Sequence, residues 1–222
     1  MFKEEAEIKK LWGIIGTCDS SVLELRAIWP SGIESSRPPL TRHFRVSEFS
    51  GVDACKLGFE KEALHLNKRG YNIYVVMNPI KPDFIGSATT DDDIFRREIL
   101  LIDIDRVEKK KEPATNAEVD NAKKLAEKVE KYLAGHKWPE PIRVMSGNGH
   151  HLYYVLPEIS NDEETTRCFK VLLNRLASEF DNEDVKVDTT VFNASRITKV
   201  VGTIARKGEE SEGRPYRMAV VL

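Results

Sequence analysis

The sequence predicts an α+β fold, and three observations carry that prediction. The stretch "REILLIDID" (97–105) is almost continuously apolar, as a strand buried on both faces would be. Two later segments repeat apolar residues at helical spacing, each behind a capping signal. Strand-like and helical runs follow the order β-α-β-β-α-β from about residue 98 to 205, which is the split βαβ, or ferredoxin-like, pattern. Residues 1–222 then read as a single domain with submodules of roughly 1–90 and 91–222, the first a smaller N-terminal α/β module packed against the second.

Each element has a local reason. "EEAEIKKLWGIIG" predicts a short helix stopped by Gly13 or Gly16, and "SVLELRAIW" alternates like a strand until the Pro- and Gly-containing "PSGIESSRPPL" breaks it. "VDACKLGFEKEALHLNKRG" reads as a helix closed by Gly70, leading into the strand "YNIYVVMN" and a turn at Pro79. Thr115 and Glu118 form a capping box ahead of Ala122, Leu125, Ala126, Val129 and Leu133, which share one helix face before Gly135. "PIRVMSG" and "HHLYYVLP" are strands around a glycine loop. A second helix runs from about Asp162 to Phe180, with Ser160 and Glu163 as its capping box and Phe169, Leu172, Leu173, Leu176 and Phe180 turned inward. "VKVDTTVF", "ITKVVGTIA" and "YRMAVVL" read as strands, and the chain stops inside the last, as one module of a longer protein would.

Composition limits the classes of function. Lys and Arg number 34 against 36 Asp and Glu, a net charge of -2, which argues against a uniformly basic nucleic-acid coat but permits a local basic groove. No apolar run approaches bilayer length, and "MFKEEAEIKK" is too charged to open a secretory signal, so no membrane partner is expected. Cys18, Cys55 and Cys168 are too scattered for a disulfide framework or a zinc knuckle, which points to a reducing, cytoplasmic setting.

Four segments carry chemistry. In "LLIDIDRV", Asp103 and Asp105 lie at i and i+2 of a strand and project from the same face, where a hard divalent cation would relieve their repulsion. In "VKVDTTVF", Asp188 shares a face with Lys186 and Thr190, and a third acid beside the pair would complete a site for two metals about 3.5–4 Å apart. In "MSGNGHHLYYVL", Gly147 and Gly149 allow backbone amides to turn toward an anion, with Ser146 and Asn148 adding polar side chains. In "NASRITKVVGTIARKG", Arg196, Lys199, Arg206 and Lys207 concentrate positive charge suited to phosphate oxygens. Taken singly, each segment has a plain structural reading as well: solvated strand ends, a glycine hairpin, a basic face.

In order, "LLIDID", "SGNGHH" and "VDTTVFNASRITKVVGT" resemble the archaeo-eukaryotic primase superfamily, in its primase-polymerase branch from plasmids, phages and related mobile elements. The family pattern is an apolar strand ending in D-h-D or D-h-E, then S-G-x-G-x-H, then a third strand acid with basic residues downstream. The resemblance covers most of the chain from about residue 70, including "NPI" and "GRPYRMAVVL". It implies that Asp103, Asp105 and Asp188 are catalytic acids holding Mg²⁺ or Mn²⁺ in a two-metal site. It implies that Ser146, Gly147, Asn148, Gly149, His151, Arg196 and Lys199 bind the nucleotide, with His151, the last motif position, facing its phosphates. His150 falls at the variable position. The implied fold is an RRM-like catalytic module packed against the N-terminal module, with the active site between them. The implied activity is template-dependent nucleotidyl transfer, as DNA primase or DNA polymerase, in replication or repair. Its partners would be an NTP or dNTP, a single-stranded DNA template or primer, and a helicase or accessory domain in a longer protein. Some relatives carry a zinc-binding stem; this cysteine pattern cannot supply one, so no zinc is expected.

Three rivals fit less well. A rolling-circle replication nuclease needs metal-binding histidines at i and i+2, whereas adjacent His150 and His151 point to opposite faces of a strand. A sugar-nucleotide glycosyltransferase would use the DxD but leaves Asp188 and the glycine–histidine loop unexplained. A non-catalytic RRM-like RNA-binding module needs aromatic residues on its central strand, where this sequence has aspartates. Asn78, Arg26 and Arg45 are further candidates for a template path.

Overall fold

The structure, a computed structural model, describes residues 3–18, 21–107 and 111–222. It is a mixed α+β arrangement whose strand pairings, among the described residues, are all antiparallel. The helices are α1 (Lys3–Ile8), α2 (Val52–Lys68), α3 (Asn116–Gly135) and α4 (Glu163–Phe180). The longer strands are β1 (Val22–Ile28), β2 (Leu40–Arg45), β3 (Asn72–Val76), β4 (Arg96–Arg106), β5 (Ile142–Met145) and β6 (His150–Ser160). The shorter ones are β7 (Val185–Val187), β8 (Ile197–Lys199), β9 (Ile204–Ala205), β10 (Arg217–Met218) and β11 (Val220–Val221).

Two sheets organise the molecule. One has the order β2-β1-β3-β8 and the other β11-β5-β6-β4-β7, with β9 and β10 as a separate ribbon. In the second sheet β4 is flanked on both sides, and Ile99 through Ile102 are each 2 % exposed or less, as its unbroken apolar run requires. Helix α3 packs on β4, β6 and β7, and α4 lies beside it on β7. The α3 start follows the sequence reading: Thr115 Oγ1 accepts from the Glu118 N–H at 3.1 Å, and Glu118 Oε2 accepts from the Thr115 N–H at 2.8 Å. Residues of both sheets belong to one core, including Leu25, Ile73 and Val75 from the first and Ile102, Leu152 and Val187 from the second.

Several boundaries differ from the sequence expectation. The cap of α4 is Asp162, whose Oδ1 accepts from the Thr165 N–H at 2.8 Å; Ser160 is still paired to Arg96 in β6 and is not free to cap. Strand β2 has no apolar alternation ("LTRHFR") because it sits at a sheet edge, and only its pairing with β1 defines it. The first helix tightens to a 3₁₀ turn at Lys9–Gly13. "VKVDTTVF" is a strand only to Val187, so Asp188 lies just past its end. "ITKVVGTIA" breaks at Gly202 into β8 and β9, and "YRMAVVL" into β10 and β11. Through β8 the last part of the chain returns to the first sheet, beside β3. Among the described residues no helix is long and apolar enough to cross a membrane.

Candidate active site

Strand β4 delivers Asp103 and Asp105 to one face while Ile102 and Ile104, each 0 % exposed, point into the core. The two carboxylates line a cavity of about 430 Å³. Burial, followed by the charge of Asp103, pushes the Asp105 carboxyl above the usual carboxylate range, against the pull of Lys207. Asp188 joins them because its backbone N–H donates to the Asp103 carbonyl at 2.8 Å, and its Oδ1 accepts from the N–H and hydroxyl of Thr190 at 2.9 and 2.7 Å. Among the described residues, no three His, Cys, Asp or Glu side chains stand close enough to hold a metal ion by themselves. The donor set is still one of hard oxygens that share like charge, and Mg²⁺ commonly takes one or two carboxylates together with substrate phosphates rather than a closed protein cage. The residues present therefore fit such a cation.

The glycine loop between β5 and β6 reaches the same cavity. His151 is paired across β6 and β4 with Asp103, and its Nε2 lies 3.4 Å from Asp103 Oδ1. The Nδ1 atom is 2.8 Å from the Tyr153 hydroxyl, which in turn is 2.5 Å from Thr198 Oγ1 on β8. His150 faces the other side of the sheet, into a groove lined by α3 residues such as Lys123 and Glu127. Burial, then the neighbouring His151 and Lys123, brings its imidazole down to about 4. The two histidines thus lie on opposite faces, as their adjacency on a strand dictates.

Gly149 is required by close approach: a Cβ there would sit 2.3 Å from the Ile104 carbonyl oxygen. Gly147 has φ +106° and packs against Ala205, where a Cβ would meet the alanine Cβ at 2.3 Å. The side chains of Ser146 and Asn148 line the cavity. The amides of Ser146 and Gly147, however, donate within the loop, to the Gly149 carbonyl and the Met145 sulfur, both at 3.0 Å. Asn148 Oδ1 accepts from the Ala114 N–H at 2.8 Å and so ties the loop to the start of α3. The loop shapes the wall; those two amides do not face an anion.

Positive charge comes from the segment after Asp188. Arg196, Lys199, Arg206 and Lys207 all line the cavity. Lys199 is 5 % exposed, and burial, followed by Arg206, drives its ammonium well below the ordinary lysine range. Its Nζ donates to the Ile204 carbonyl at 3.2 Å and reaches Asn72 Oδ1 at 3.5 Å. Arg196 donates from Nη2 to the Thr190 carbonyl, while its buried Nε has no partner. Arg206 likewise has a buried Nη1 without a partner. Orphaned guanidinium donors are costly, and an anionic ligand would satisfy both.

Sequence reasoning did not single out Asn72, Tyr74, Trp29 or Thr198, yet all four line the cavity. Asn72 holds the Arg206 backbone in both directions, at 2.7 and 2.8 Å. Burial, then the charge of Asp103, pushes the Tyr74 hydroxyl up to about 12. The available signal was alternation in "YNIYVVMN", which puts Asn72 and Tyr74 on one face of an apolar strand. Asn78, Arg26 and Arg45 do not line this cavity. Asn78 is 3 % exposed and its Oδ1 accepts from the Glu98 and Ile99 amides, where β4 carries a register shift. Arg26 pairs with Glu24, and Arg45 donates to the carbonyls of Pro82 and Phe84.

No protein-family model and no curated protein matches the sequence. Solved structures do match. The AEP domain of the cyanophage S-2L primase-polymerase superposes with a TM-score of 0.53 at 15% identity, over 98% of this chain and 88% of that one. Primase RepB′ gives 0.52 at 11% identity, over 99% of this chain and 56% of that one. The polymerase domain of Mycobacterium tuberculosis ligase D, in complex with DNA, gives 0.53 at 14% identity, over 96% of this chain and 79% of that one. The chain therefore shares the overall mixed α+β fold of these primase and polymerase domains.

Proposed function

We propose that this chain is a template-dependent nucleotidyltransferase of the primase-polymerase type, extending DNA or priming it with NTPs or dNTPs in replication or repair. The observation that carries the reading is convergence. Asp103 and Asp105, Ser146 to His151, and Asp188 to Lys207 are far apart in sequence, and side chains from all three segments line one cavity. The order β5-β6-β4-β7, with α3 and α4 as the connections, supports reading the second sheet as the RRM-like split βαβ module. The cavity also draws Asn72, Tyr74 and Thr198 from the first sheet, which supports an active site between two submodules of one domain.

In this reading Asp103 and Asp105, with Asp188 alongside, would hold Mg²⁺ or Mn²⁺. When bound, such cations supply charge neutralisation and a lowered pKa for the attacking hydroxyl. Arg196, Arg206, Lys199 and Lys207 gather the triphosphate, and Arg196 and Arg206 each hold a buried nitrogen, Nε and Nη1, without a protein partner. His151 faces the same anion from beside Asp103. Positioning and charge compensation account for the rate without a covalent step. The single-stranded template or primer, and a helicase or accessory domain in a longer protein, are the partners this activity needs; the setting would be cytoplasmic.

Nucleotide binding with and without divalent metal tests the reading. Titration with a non-hydrolysable dNTP should show affinity that rises at least about tenfold with Mg²⁺ or Mn²⁺ and disappears in Asp103→Ala. Metal-independent binding of the nucleotide would contradict it.

A further inference from the structure

The His151 imidazole is 6 % exposed, and its Nδ1 edge is closed by two residues with no motif of their own. Tyr153, 1 % exposed, stands on the same face of β6 two residues on, with its hydroxyl 2.8 Å from Nδ1. Thr198, 3 % exposed, belongs to β8 in the other sheet, and its hydroxyl is 2.5 Å from Tyr153 Oη and 3.5 Å from Nδ1. On the opposite edge, Nε2 lies 3.4 Å from a carboxylate oxygen of Asp103. An ionised carboxylate accepts only, so the favourable arrangement has the proton on Nε2 and a bare Nδ1. A bare Nδ1 needs a donor, which the Tyr153 hydroxyl supplies; the Tyr153 oxygen then accepts from Thr198.

We propose that Tyr153 and Thr198 are positioning residues that lock His151 in the Nε2–H tautomer, aiming that donor at the Asp103 side of the cavity where the phosphates of an incoming nucleotide would sit. The inference rests on the nucleotidyltransferase reading for its ligand. Both act through His151: Tyr153 lies outside the cavity lining, and Thr198, which reaches it, does so with its hydroxyl held on Tyr153. The chain Thr198–Tyr153–His151 also runs from one sheet to the other, so the donor is set by how the sheets sit together.

Imidazole ¹⁵N–¹H correlation spectra test the lock directly. They are recorded at about pH 8, where an ordinary imidazole is neutral. His151→Gln assigns the His151 signals among the five histidines. Wild-type His151 should show one tautomer with the proton on Nε2. Tyr153→Phe and Thr198→Val should share the proton between the two nitrogens, while Thr198→Ser keeps the wild-type pattern. In primer extension, the Phe and Val variants should raise the nucleotide KM by about tenfold and leave kcat within about twofold, with Ser restoring KM. Unchanged His151 spectra in both variants, or an unchanged KM, would overturn the proposal. Should Tyr153→Phe not fold, Thr198→Val, which puts a methyl in place of the hydroxyl, decides alone. A wild-type protein that extends no primer overturns the nucleotidyltransferase reading, and the spectra then decide the lock by themselves.

Discussion

Asp103 and His151 stand directly opposite one another on the antiparallel strands β4 and β6, with His151 Nε2 3.4 Å from Asp103 Oδ1. The DxD motif and the glycine–histidine motif, separated by more than forty residues in the chain, are thereby a single cross-strand pair. His150, one residue earlier, is on the other face beside α3. His151→Ala should raise the nucleotide KM by about tenfold or more, and His150→Ala by no more than about twofold. Equal effects in steady-state extension would mean that the face assignment does not govern function.

His150 should make the fold acid-sensitive. Its imidazole titrates near 4 when folded, below the ordinary value of 6.5 that holds in the unfolded chain. Between those values the unfolded state binds the additional proton, so stability falls as pH drops from about 6.5 toward 4. His150→Leu should flatten that part of the stability curve in urea unfolding at stepped pH. A curve of unchanged slope would contradict the assignment.

Glu118 should act in the next window down. Burial would raise its carboxyl, but the Arg214 hydrogen bond, the Thr115 amide and Arg106 together bring it to about 2. A folded value below the unfolded one gives stability that is present above about 4.5 and lost as pH falls toward 2. Glu118→Gln should cost about 1–2 kcal/mol at neutral pH, since Arg106, 2 % exposed, loses an anionic partner. The difference from wild type should close across that acid window in denaturant titrations.

Gly149→Ala tests the wall of the site. The added methyl would stand 2.3 Å from the Ile104 carbonyl, so the loop must move off β4. A loss of about 2 kcal/mol is expected, together with impaired extension, because His151 and the neighbours of Asp105 shift together. Gly13→Ala, where nothing lies within 4 Å, is the control and should be nearly neutral.

Much of the architecture could be read from local pattern. The apolar run of β4, the Thr115–Glu118 capping box and the alternation through His150 and His151 each have one physical reading, and each appears as expected. Where long-range pairing decides, the sequence is silent. Strand β2 is polar and is defined by its neighbour β1, and β8 leaves its chain neighbours to pair with β3. The same limit applies to the site. Asp103, Asp105, Asp188, His151, Arg196 and Lys199 come from recognisable segments and share the cavity. Asn72, Tyr74 and Thr198 carry no motif, because their roles come from a sheet that only the folded chain places opposite β4 and β6. The glycine loop was legible in its need for glycine but not in its hydrogen bonds, since the Ser146 and Gly147 amides turn inward.

Template-directed primer extension with labelled dNTPs or NTPs, in Mg²⁺ or Mn²⁺, tests the central claim most directly when wild type is run beside Asp103→Ala and Asp105→Ala. The account predicts metal-dependent, template-dictated products from wild type and a loss of at least about a hundredfold in each variant. Full extension by either variant, or none by wild type with any nucleotide and metal, would contradict it.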